Sequence, residues 1–201
     1  VNTILATVIT CPQRWEHYSL FLQNIEETGL EIPVRTFVQK QYAGDSFANN
    51  NLNARAALAY GLKHLPDDGW LLYLEDDVLI STALAKLLPE LVRVGQAEGV
   101  DCWYLCNRKN NFWRRFAFAG AEVNELVYPV FGAHALLIPK RHLGTMLGAH
   151  WGQVSDLSMF AAINHPGLKV WQVVQPVLVE HVGTVSTYTP EREAQKLEVN
   201  A

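Results

Sequence analysis

Apolar and polar positions alternate along this chain in blocks of two lengths. Residues 4–9 (ILATVI) form an apolar run with β-branched side chains, and Thr10-Cys11-Pro12-Gln13-Arg14 stops it. A short apolar run closed by a breaker predicts a buried strand. Tyr18, Phe21, Leu22 and Ile25 then recur at i, i+3, i+4 and i+7 and predict a helix, which Gly29 ends. Residues 33–38 (PVRTFV) predict a second strand, and the polar stretch 39–51 reads as a loop. A second helix is expected near 52–65, with Leu58, Ala59, Leu62 and Leu65 on one side; Pro66-Asp67-Asp68-Gly69 follows as a turn. Residues 70–74 (WLLYL) are apolar throughout, as in a central strand covered on both faces, and lead directly into Glu75-Asp76-Asp77. Leu84, Leu87, Leu88 and Leu91 mark a third helix, and residues 102–106 (CWYLC) another strand. This alternation predicts an α/β domain, Rossmann-like, with a mostly parallel central sheet flanked by helices.

The second half is less periodic. Residues 112–125 are aromatic and basic, then small and acidic, and read as a loop with short strands. Residues 133–138 (AHALLI) predict a strand. Residues 141–147 predict a short helix with Leu143, Met146 and Leu147 inward. Ser155 is placed to cap a further helix through Leu157, Phe160 and Ala161. Residues 170–179 are strand-like, with Pro176 marking an edge or interruption, and Thr189-Pro190 opens a last helix. No repeat, low-complexity segment or linker divides the 201 residues, so residues 1–201 are expected to form one domain.

Composition narrows the class. Hydrophobic residues make up 49% and charged residues 18%, a globular profile. The net charge is −4 and there is no long basic run, so the chain carries no electrostatic footprint for nucleic acid. Three cysteines, Cys11, Cys102 and Cys106, do not make a disulfide framework and read as reduced core residues. No apolar run approaches the ~20 residues of a membrane span. No leader pattern precedes the first strand, and a cytoplasmic setting is the expectation.

Glu75-Asp76-Asp77 is the first candidate for chemistry. Adjacent carboxylates repel one another at the end of a buried strand, and a divalent cation would relieve that cost. Hard oxygen ligands suit Mn²⁺ or Mg²⁺, and ligands of open α/β sheets bind outside the carboxyl ends of the strands. Strand geometry points Glu75 and Asp77 to one side and Asp76 to the other. The competing account is an acidic turn favouring the next helix N-terminus, but Ser81 or Thr82 can cap that helix unaided. His181, at the end of a strand-like run, is either a ligand or an ordinary turn histidine. Asp156 is either a general base or a first-turn acid that offsets a helix dipole. Arg14, Arg55 and the run Asn49-Asn50-Asn51 are candidates for a nucleotide, or are solvated surface and helix caps. Residues 108–115 (RKNNFWRR) combine arginines that pair with phosphate and aromatics that stack on sugars, or form only a surface loop.

The order of these parts resembles the GT-A glycosyltransferases, and the family 25, lipopolysaccharide-type group among them. LYLEDDV (72–78) is similar to their acidic, DxD-like motif, and GAHALLIPKRHLGTML (132–147) to an acceptor-side segment. SDLSMF (155–160) is similar to the motif that holds an acidic residue, and QPVLVEHVGTVST (175–187) to a C-terminal strand whose His completes a metal site. The resemblance implies a hexosyltransferase-type enzyme. Residues 1–107 would form the half that binds a nucleotide sugar, a UDP-sugar above all, and residues 108–201 the half that binds a glycan or other hydroxyl acceptor. It implies Asp77 and His181 as ligands of Mn²⁺ or Mg²⁺, with Glu75 and Asp76 reaching the metal through water or holding the ribose. Thr10, Pro12 and Arg14 would line the nucleotide, with Asn50 and Arg55 nearby, and Asp156 would be the base of an inverting transfer. Two other classes share these features: a nucleotidyltransferase, which would usually carry a glycine-rich loop where Cys11-Pro12-Gln13-Arg14 stands, and a non-catalytic nucleotide-sugar-binding module.

Overall fold

The structure is a computed structural model, and it describes residues 3–38, 46–127, 134–151, 159 and 168–182. Asp156, the helix expected after Ser155 and the one expected after Thr189 lie outside the described residues. Ten strands run in chain order as β1 (Ile4–Thr10), β2 (Val34–Val38), β3 (Trp70–Glu75), β4 (Val78–Ile80), β5 (Cys102–Tyr104), β6 (Phe112–Phe118), β7 (Ala121–Leu126), β8 (Ala135–Pro139), β9 (Val170–Gln175) and β10 (Val179–His181). Four helices are described: α1 (Trp15–Thr28), α2 (Ser46–His64), α3 (Thr82–Glu98) and α4 (Lys140–Gly148).

Eight strands build the central sheet in the order β2-β1-β3-β8-β5-β9-β7-β6. β1 is parallel to β2 and β3, and β5 is parallel to β9; β8 is antiparallel to β3 and β5, and β7 is antiparallel to β9 and β6. Six of the eight strands therefore point one way, with β8 and β7 reversed, as expected of a helix-flanked, mostly parallel α/β sheet. A separate two-stranded ladder joins β4 to β10, antiparallel.

The core follows the apolar runs. Trp70, Leu71, Leu72, Tyr73 and Leu74 are all buried, as a strand covered on both faces requires. α1 turns Tyr18 and Phe21 inward with Ile25 partly covered and ends at Gly29 in the left-handed region, whereas Leu22, expected on the same face, is exposed. α3 buries Leu84, Leu88, Leu91 and Val92, with Leu87 partly covered. A Cβ at Gly95 would meet the rings of Trp70 and Trp103 at 2.7 Å, so the bare backbone there lets α3 lie against both indoles.

Some boundaries differ from the sequence pattern. α2 starts at Ser46, so the Asn49-Asn50-Asn51 run is helical rather than loop. Its buried face is Ala54, Ala57, Leu58 and Gly61, with Leu65 buried just beyond its end, whereas Ala59 and Leu62 are exposed. Residues 112–126 form a regular hairpin, β6–β7, turned by Ala119 and Gly120 at positive φ. The strand expected over 102–106 stops at Tyr104, with Cys106 kept only in an isolated bridge to Val179. The strand-like run 170–179 divides at the Gln175–Pro176 bond into β9 and, beyond it, β10. Cys11, Cys102 and Cys106 are buried and stand outside any disulfide. Among the described residues no helix is long and apolar enough to cross a membrane.

Candidate metal centre

The acidic cluster sits where β3 leaves the sheet. Glu75 is the last residue of β3, and Asp76 and Asp77 form the tight turn into β4. Asn24 of α1 fixes the far side of this turn: its amide donates to the Ile80 carbonyl at 3.1 Å, and its oxygen accepts the Ile80 N–H. Asp76 and Asp77 are both nearly covered. Two carboxylates so placed need partners, and each has them.

Asp76 points toward the end of β1. It accepts the Thr10 hydroxyl at 2.6 Å and pairs with Arg14 at 3.2 Å. Burial pushes its carboxyl up to about 6, against the pull of Arg14 and Thr10. Asp77 shares Arg14 with Asp76 and also reaches the histidines. Its Oδ2 meets Arg14 Nη2 at 2.6 Å and His181 Nε2 at 3.1 Å. Burial opposes its ionisation, but His181, Arg14 and His134 together outweigh burial and hold the carboxyl well below the usual carboxylate range. Burial also works against the Arg14 charge, and Asp77 and Asp76 more than restore it.

His181 reaches Asp77 through the β4–β10 ladder. It stands opposite Val78, the residue after Asp77, and the next N–H, of Val182, donates to the Asp77 carbonyl at 2.9 Å. The expected pairing of Asp77 with His181 is thus brought together from positions 104 residues apart.

A further histidine completes the group. His134 precedes β8, and its carbonyl accepts the Glu75 N–H at 2.9 Å. Its Nδ1 lies 2.9 Å from Glu75 Oε2, its ring stacks on His181 with centroids 4.2 Å apart, and Arg108 Nη1 is 3.2 Å from its Nε2. Burial disfavours its charged form, but Glu75 and Asp77 outweigh burial and raise its pKa. Asp77, His134 and His181 each offer a ligand atom within 4.8 Å of the others. Asp77 Oδ1 is buried without a hydrogen-bond partner among the described residues, with His134 Nδ1 4.0 Å away. An unsatisfied carboxylate oxygen beside two imidazoles fits a small divalent cation. Glu75 stands behind His134, where its carboxylate can orient the imidazole.

The sequence pattern names Asp77 and His181 but not His134. A strand parallel to its neighbours would put His134 at the opposite end of the sheet. Because β8 is antiparallel to β3, its amino end lies beside the carboxyl end of β3.

The other sequence candidates divide. Thr10 and Arg14 are in direct contact with the carboxylates, and Pro12 opens the 3-10 turn Pro12–Arg14 that carries Arg14. Asn50 lies half-buried in the first turns of α2. Arg55 is exposed on α2, outside the set of side chains that meets the carboxylates. Asn53, which the sequence does not single out, donates to the Thr10 and Phe37 carbonyls at 3.1 and 2.8 Å and ties together the carboxyl ends of β1 and β2.

No protein-family model matches the chain, and no curated protein shows significant sequence similarity to it. Solved structures do resemble it. A glycosyltransferase involved in glycosylation of the major capsid of PBCV-1 aligns with a TM-score of 0.60 at 11% identity, over 98% of this chain and 99% of the other. A mutant of the Drosophila beta-1,4-galactosyltransferase 7, in complex with manganese, UDP-Gal and xylobiose, aligns with a TM-score of 0.54 at 19% identity, over 99% of this chain and 80% of the other. The likeness is one of fold: the chain has the α/β fold of GT-A glycosyltransferases.

Proposed function

We propose that this chain is a metal-dependent glycosyltransferase, moving a sugar from a UDP-sugar to an acceptor hydroxyl of a glycan with inversion. The observation that carries the reading is the convergence of Asp77, His134 and His181 at the carboxyl end of β3, with one Asp77 oxygen left without a hydrogen-bond partner among the described residues. The Drosophila relative, complexed with manganese, UDP-Gal and xylobiose, supports the same metal, donor type and acceptor type here.

Asp77, His134 and His181 would hold the cation, and Glu75 would keep the His134 ring in place through Nδ1. Two imidazoles and one carboxylate suit Mn²⁺ better than Mg²⁺, which favours all-oxygen sites. The cation supplies charge to the donor diphosphate and stabilises the nucleotide as it leaves. Thr10 holds Asp76 at the end of β1, on the side where Pro12 and Arg14 would line the nucleotide. Asn50 and Arg55 of α2 are the outer members proposed for that side. Asp156 is assigned the general base, taking the acceptor proton as the hydroxyl attacks the anomeric carbon; a single displacement inverts that carbon.

Release of UDP from a panel of UDP-sugars, with Mn²⁺ and with chelator, tests the reading. Mn²⁺-dependent release or transfer is expected, and a protein that binds no nucleotide sugar and ignores chelator overturns it. Asp156→Asn is expected to abolish transfer while donor binding persists; loss of donor binding instead would remove Asp156 from the role of base.

A further inference from the structure

Two guanidinium groups already contact the proposed ligand set. Arg14 Nη2 lies 2.6 Å from Asp77 Oδ2 while its Nη1 reaches Asp76 at 3.2 Å, and Arg108 Nη1 lies 3.2 Å from His134 Nε2. With the neutral ring, the Arg108 contact requires Nε2 to accept, so Nδ1 carries the proton that faces Glu75. We propose that Arg14 and Arg108 are resident counter-cations of this centre, and that both transfer to the donor diphosphate when the divalent cation binds. The inference rests on the metal-dependent reading above.

Three physical points support it. Glu75, Asp76 and Asp77 are close and largely covered, and without a positive partner their mutual repulsion and desolvation would be severe. Arg14 supplies that partner in the cation-free state. A guanidinium and a divalent cation on neighbouring atoms of one ligand set repel each other, so the two compete. A displaced guanidinium also needs a new anion, and a diphosphate is the anion its planar fork matches best. Arg108 is exposed, and Arg14, though its side chain is mostly covered, lies in the turn after β1 at the rim of the sheet.

The consequence is that cation and nucleotide bind cooperatively. A cation alone must break the Arg14–Asp77 and Arg108–His134 contacts, leaving Arg14 only its contact with Asp76. With a diphosphate present the transfer of both arginines is favourable. Coupling between such sites is typically about 5–150-fold.

Titration of Mn²⁺ into the full chain, with and without UDP and followed by paramagnetic resonance of free Mn²⁺, tests this on the wild type, Arg14→Gln and Arg108→Gln. UDP should tighten wild-type Mn²⁺ binding by at least about tenfold. Arg14→Gln should bind Mn²⁺ alone about tenfold more tightly, bind UDP more weakly, and lose most of the coupling. Arg108→Gln should move all three in the same directions by less, and its exposed site keeps the test open if Arg14→Gln does not fold. Variants that bind Mn²⁺ alone no better than the wild type, with coupling intact, overturn the counter-cation role and leave the metal reading standing. A wild type that binds no Mn²⁺ with or without UDP overturns the metal reading and this inference with it.

Discussion

The sheet carries a carboxylate, histidine and arginine cluster at each end, and the two clusters differ in how completely they are satisfied. At the amino ends of β5 and β9, Asp101 Oδ1 meets His142 Nε2 at 2.7 Å and Arg141 at 3.3 Å, and Oδ2 accepts the Lys169 N–H at 2.8 Å. The Asp101 N–H returns a bond to the Lys169 carbonyl, and Arg141 also donates to the Val100 carbonyl. Both carboxylate oxygens are used, and one negative charge faces at least one positive charge. At the other end three carboxylates share Arg14 and two imidazoles, and Asp77 Oδ1 has no donor among the described residues. Similar residue types thus make a clamp in one place and an open valence in the other. Acidic composition does not distinguish them; the count of filled lone pairs does.

The sharpest way to break this contrast is Asp77→Ala. It should lower Mn²⁺-dependent turnover of a UDP-sugar by on the order of 10³-fold, because the carboxylate that carries the unsatisfied oxygen is gone. Steady-state UDP release measures it, and near-wild-type turnover would mean that the open valence has no chemical role. Glu75→Ala should weaken Mn²⁺ affinity by roughly 10–100-fold, since the His134 ring loses the group that orients it. Calorimetric titration measures this, and unchanged affinity would detach His134 from the ligand set. Asp101→Asn should leave Mn²⁺ affinity as it is and cost about 1–3 kcal/mol of stability through weakened charge-assisted bonds. Urea denaturation reads the loss. A change in metal affinity instead would mean that the two ends of the sheet are coupled, and the contrast between them would fail.

Much of this contrast could be read in the sequence on one side only. WLLYL followed by Glu75-Asp76-Asp77 states both a buried strand and an acidic exit, because burial on two faces leaves a continuous apolar run. The helix faces of α1 and α3 were legible for the same reason, their side chains recurring at helical spacing. Local pattern carries no strand direction, however. β8 reads as an apolar strand in either orientation, and only its antiparallel pairing with β3 brings His134 beside Glu75. β4 is three residues long, too short for alternation to show, yet its pairing with β10 brings His181 to Asp77. The polar start of α2 was hidden because three asparagines favour loops and caps, while their setting in the fold makes them helical. The Asp101 clamp joins residues 40 or more positions apart, with nothing local to mark them as partners.

The ladder between β4 and β10 also sets an order of assembly. The ligand set draws on residue 77, residue 134 and residue 181, and the last pair is joined across 104 positions. Loop closure over such separations is slow and comes after local structure has formed. During synthesis, β1, β2 and β3 can associate while the carboxylates still lack both histidines, with Arg14 already in reach of them. On the proposed reading, affinity for a metal ion would appear only with the docking of β10, so Mn²⁺ uptake would time the closing of a contact that spans more than half the chain.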